Sequence, residues 1–147
     1  MRRYFEDYTL GERFESAAFA VTERGIADFM VYDPQIYHRA ETAGSTRFGR
    51  LIASGWQTAA IAMRLMCDTI FGEVGAIGLG VEDLRWPRPV YPGDELRILA
   101  EVIGLKATPG KPGGVVKLAV GVLNAQGDVV MTERVAALID RRPEAQP

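Results

Sequence analysis

Asp33 and His38 stand five positions apart in Tyr32-Asp33-Pro34-Gln35-Ile36-Tyr37-His38, and His38 is the only histidine in the chain. A carboxylate and an imidazole that share a cavity can take a proton from water and deliver one to carbon. That is what addition of water to an activated double bond requires. The spacing and the intervening proline exclude a shared helix face, but a bent segment can still turn both side chains into one crevice. The same spacing also describes a turn-capping aspartate followed by a surface histidine, so the pair alone leaves both alternatives open. A second feature is Arg50-Leu51-Ile52-Ala53-Ser54-Gly55-Trp56, in which Ser54 suits the N-cap of the helix that follows. The first amides of a helix lack intrahelical acceptors and lie at its positive end, so they suit an oxyanion such as that of a thioester enolate. Gly55, having no Cβ, lets a ligand approach that amide. On its own this segment is equally a serine-capped core helix.

Much else is excluded. One histidine and one cysteine (Cys67) leave no disulfide framework and no His-rich or CxxC metal site within the chain. There is no GxSxG elbow, P-loop or GxGxxG between strand and helix. Gly75, Gly78 and Gly80 fall inside an apolar strand and read as packing devices. Cys67, beside Leu65, Met66 and Ile70, reads as a buried thiol. A net charge of −2 without a basic run gives no footprint for nucleic acid. Gln57, Arg64 and Asp68 interrupt the most apolar stretch, so no membrane span is expected. No apolar segment follows Arg2-Arg3, and the cytoplasm is the expected compartment.

The elements that must hold these residues follow from periodicity. The 147 residues, 48% apolar and 24% charged, suit one domain, read as 1–140 with a flexible tail over 141–147. Phe14 to Val21 is apolar enough for a strand. Thr22 caps a short helix with Ile26, Phe29 and Met30 on one face, ended by Asp33-Pro34. From Gly55 to about Phe71 a second helix is apolar nearly all round, apart from Arg64 and Asp68, four apart, which suit one exposed end. Such a helix must be covered on most sides, and in a chain of this length a curved sheet is the available cover. Val74–Trp86, Leu96–Leu105, Val115–Leu123 and Val129–Ile139 supply its strands. Val116, Leu118, Val120 and Val122 alternate there with Lys117, Ala119 and Gly121. The predicted class is α+β: one long central helix and an antiparallel sheet of about five strands.

Three motifs in order, Asp33-Pro34 with His38, then Ile52-Ala53-Ser54-Gly55, then Arg88-Pro89-Val90-Tyr91-Pro92-Gly93-Asp94, resemble the MaoC-like dehydratases, a group that includes the (R)-specific enoyl-CoA hydratases. The likeness spans Phe14 to Ile139. It implies a hot-dog fold, a homodimer or dimer of dimers, and reversible hydration of a 2-enoyl thioester of CoA or of an acyl carrier. No metal or redox cofactor is implied. Carried over, Asp33 and His38 take the acid–base positions, and the Gly55 amide polarises the thioester carbonyl. Ser54 is expected to touch substrate, Phe48, Ile52, Trp56 and Met63 to line an acyl tunnel, and the arginines of Arg85-Trp86-Pro87-Arg88 to suit a cofactor phosphate. Three positions depart from the pattern: Ser54 where a histidine often precedes the glycine, Ala40 where an acid often stands, and Ala62 or Met63 where some hydratases carry a serine. A hot-dog thioesterase and a non-catalytic acyl-binding subunit are the alternative functions.

Overall fold

The computed structural model describes residues 1–146. A one-turn helix (Phe5–Asp7) precedes strands β1 (Arg13–Glu15) and β2 (Phe19–Ala20), helix α1 (Glu23–Phe29), a single turn over Ile36–His38 and the short helix α2 (Ala40–Ala43). Helix α3 (Gly55–Met66) runs into a wider π-type segment, Cys67–Phe71, and strands β3 (Ile77–Arg85), β4 (Glu95–Ala107), β5 (Gly113–Leu123) and β6 (Val129–Asp140) complete the chain. The sheet is antiparallel in the order β1-β4-β5-β6-β3, with β2 also paired to β4. This is the expected hot-dog arrangement, with six strands rather than about five.

The alternation predicted for β5 is observed: Val116, Leu118, Val120 and Val122 are buried and meet Leu96, Ile98 and Val102 of β4 and Met131, Val135 and Ile139 of β6. Against this face α3 presents Ile61, Ala62, Leu65 and Met66. Ile61, Leu65 and Met66 each contribute roughly 1.5–3 kcal/mol when fully buried. The helix is covered on fewer sides than expected, because Trp56 and Met63 remain largely open to solvent. Arg64 and Asp68 pair at 2.9 Å on its exposed side, as predicted.

Two local expectations need correction. The strand expected over Phe14–Val21 is two short ones. Ser16 interrupts it: its hydroxyl accepts the Ile98 N–H, replacing a backbone acceptor and kinking the chain. Cys67 is exposed, because the widened turn carries Ile70 and Phe71 into the core and rotates the thiol out. Beyond β6, the Arg141 N–H donates to Pro112 O and the Arg142 guanidinium pairs with Asp7 at 2.7 Å. Pro147 lies outside the described residues. No helix among those described is long and apolar enough to cross a membrane.

Candidate active site

Pro34 prevents α1 from continuing, and the chain turns twice in quick succession: the Gln35 N–H donates to Asp33 O, and the His38 N–H to Gln35 O. The Ile52 N–H reaches back to Tyr37 O, and the Ala53 N–H donates to Val90 O. These two bonds bring the loop, the start of α3 and the Arg88–Asp94 segment to one place. The Val90–Asp94 part of that third segment thus holds the site together. The Tyr91 N–H donates to the Asp94 carboxylate at 2.9 Å, Gly93 turns at a φ of 90°, and its N–H holds Val21 O.

Asp33 and His38 converge, with Nε2 of the imidazole 3.3 Å from Asp33 Oδ2. The His38 side chain is 7% exposed and that of Asp33 15%. His38 Nδ1 lies 2.8 Å from Ile52 O. A carbonyl only accepts, so Nδ1 carries the proton and Nε2 is the nitrogen left to exchange one with a ligand. Asp33 is held by two donors, the Ser54 hydroxyl on Oδ2 at 2.6 Å and the Gln35 amide on Oδ1 at 2.6 Å. These hydrogen bonds, Ser54 first and Gln35 second, lower the carboxyl pKa despite the opposing effect of burial, and His38 assists. A carboxylate offers about four lone-pair sites, so a water can still be bound beside the protein donors.

Both side chains line a cavity of about 470 Å³ together with Gly55, Ile52, Trp56, Tyr37, Phe48, Thr58, Trp86 and Arg88. At the helix start, Ser54 Oγ takes the Trp56 N–H at 3.2 Å, while the Gly55 N–H has no acceptor among the described residues. A free amide at the positive end of a helix, in the cavity that holds the carboxylate and imidazole, is the site's third component. Gly55 also has a packing reason to be glycine, since a Cβ there would stand 2.6 Å from the Trp86 ring, whose Nε1–H donates to Gly55 O at 2.8 Å.

The other expected contacts divide. Ile52 and Trp56 line the cavity. Ser54 does not; it is 2% exposed, and its hydroxyl is occupied by Asp33. Arg85 lies at the end of β3 outside the cavity wall, whereas Arg88 is in it, 3.7 Å from Asp128. Sequence reasoning missed Gln35 and Trp86. Gln35 stands inside the first loop segment, and Trp86 two positions before the third motif; only the folded chain shows what they touch.

The model of the MaoC like domain matches residues 7–124. The chain belongs to this family. A MaoC-like dehydratase from Rhodospirillum rubrum superimposes with a TM-score of 0.87 at 37% identity, covering 96% of this chain and 99% of that one. R-hydratase PhaJ1 from Pseudomonas aeruginosa gives a TM-score of 0.79 at 25% identity, with 98% and 94% covered. Mesaconyl-CoA hydratase of Cereibacter sphaeroides is 31% identical over 99% of this chain, which spans only 43% of that protein.

Removing the Ser54 hydroxyl tests how Asp33 is tuned. Donors to a carboxylate favour its ionised form, so Ser54→Ala raises the Asp33 pKa toward the usual carboxylate value. The acid limb of kcat/KM is then expected at higher pH than in the wild type. Loss of the N-cap also lowers stability by about 1 kcal/mol. A pH–rate profile and a urea titration measure the two effects separately.

Proposed function

We propose that this MaoC-like domain adds water reversibly to a 2-enoyl thioester, giving the 3-hydroxyacyl thioester. The observation that carries the proposal is the meeting of Asp33, His38 Nε2 and the free Gly55 amide in one cavity. Asp33 takes a proton from water as the oxygen bonds the β-carbon. The π electrons move toward the thioester carbonyl, whose oxygen is stabilised by the Gly55 N–H, and a proton then reaches the α-carbon. His38 positions the water and shares in the proton transfer. No electrons are lost or gained overall, so the chemistry calls for no redox cofactor. A relative named as a CoA hydratase supports an acyl-CoA substrate, and one named as an R-hydratase supports hydration.

A second copy of the chain is the proposed partner. Among the described residues strand β3 is hydrogen-bonded only to β6 and leaves its other edge open, while Ile77, Leu79 and Val81 are each more than half exposed. An open apolar edge of this kind is a pairing template. Val81→Lys is expected to shift the chain toward monomer in light scattering.

The activity test uses a crotonyl thioester. Loss of its conjugated absorbance without release of free thiol is expected. Release of free thiol would identify a thioesterase instead, and binding without either change would identify an acyl-binding subunit.

A further inference from the structure

The proposed chemistry leaves one buried acid unused. Glu133 is 7% exposed on the inner face of β6, in the cross-strand row Phe14, Ala100, Val120, Glu133. Its row neighbours are apolar, so a carboxyl occupies a position that the strand pattern assigns to a hydrophobe. Burial alone acts on it and raises its pKa; no charge and no hydrogen-bond donor among the described residues offsets that. The group is nevertheless not sealed in. It lines a groove of about 420 Å³ between α3 and β3, with Trp56, Ala59, Met63, Val81, Leu84 and Val135 as the other walls. Trp56 is common to this groove and the catalytic cavity. Trp56, Ala59 and Met63 recur at helical spacing, so the groove follows one stripe of α3 away from Gly55. An unpaired acid facing an apolar channel costs stability unless a ligand satisfies it.

We propose that the groove behind Trp56 takes the far part of the acyl chain, and that Glu133 selects chains bearing a neutral hydrogen-bond donor, such as a hydroxyl. This rests on the hydratase function proposed above. A hydroxyl supplies the donor that the protein withholds from Glu133. A plain alkyl chain displaces water from the carboxyl and leaves it unpaired. A chain ending in a carboxylate brings like charge beside a buried carboxyl that no cation offsets, and is rejected.

The test is a series of straight-chain 2-enoyl-CoA thioesters of increasing length, each plain, terminally hydroxylated or terminally carboxylated. Wild type is compared with Glu133→Gln and Glu133→Leu, with thermal melts to verify folding. Once the chain is long enough to pass Trp56, the hydroxylated form is expected to exceed the plain one in kcat/KM by about ten-fold or more. Glu133→Leu is expected to reverse that order, and Glu133→Gln to relieve the rejection of the carboxylated form. Equal rates for plain and hydroxylated chains in the wild type overturn the proposal, as does an order unchanged in Glu133→Leu. Variants that weaken self-association and leave acyl preference untouched assign Glu133 to the subunit interface and also overturn it. If wild type hydrates no enoyl thioester, the hydratase function itself fails. Calorimetric binding of saturated acyl-CoAs then decides on Glu133, with equal affinity for hydroxylated and plain chains counting against it.

Discussion

Asp33→Asn is expected to lower kcat for enoyl-thioester hydration by about 10²–10⁴-fold while the protein stays folded. The substituted amide keeps an oxygen that can accept the Ser54 hydroxyl, so the start of α3 remains capped. Its NH₂ group would face the Gln35 amide, but Gln35 is exposed and can turn aside. What the variant lacks is the capacity to accept a proton from water. Steady-state rates beside a thermal melt separate the loss of chemistry from any loss of fold. A residual rate within a few-fold of wild type would remove Asp33 from the role of base.

The second large effect concerns His38, where two substitutions divide its functions. His38→Gln keeps a side-chain donor within reach of Ile52 O but removes the exchangeable nitrogen that faces Asp33. A fall in kcat of about 10²-fold or more is expected, with stability close to wild type. His38→Ala adds a structural penalty, because the Ile52 carbonyl loses its donor beside the site; about 1–3 kcal/mol of destabilisation is expected. Denaturant titration and initial rates on both variants measure this difference. Equal stability of the two would show that the Nδ1–H bond contributes little.

The sheet was the most legible part of the fold because its signal is local. Val116, Leu118, Val120 and Val122 alternate with small or charged residues, and the observed β5 has that burial pattern. At β3 the same logic is weaker: its residues are exposed on both faces in the isolated chain, and Gly75, at a φ of 76°, delays the strand to Ile77. The break at Ser16 was not legible, since it depends on a hydrogen bond to Ile98, 82 positions away. Nor was α2, four residues long and without a strong cap.

At the site, the residue types of Asp33, His38 and Gly55 suggested the chemistry, but the Asp33–His38 spacing alone favoured a turn cap and a surface histidine. The structure separates these alternatives through burial and through the anchoring of Nδ1 on Ile52 O. Ser54 shows the converse. Its place before Gly55 suggested contact with substrate, whereas its hydroxyl points to Asp33 across 21 positions of sequence. Glu133 went unread for a similar reason. Within Val129–Asp140 it is one charge in a strand, and only the register of β6 against β5 turns it toward the core.

The convergence of carboxylate, imidazole and helix amide on one acyl group can be seen directly in a crystal structure of Asp33→Asn with an unreacted crotonyl thioester. The thioester oxygen is expected roughly 3 Å from the Gly55 nitrogen, the hydrogen-bond distance required of an oxyanion donor. The β-carbon is expected to face position 33 and His38 Nε2. An acyl group bound with its carbonyl away from Gly55, or seated on the outer face of the sheet beside Leu99, would contradict the account.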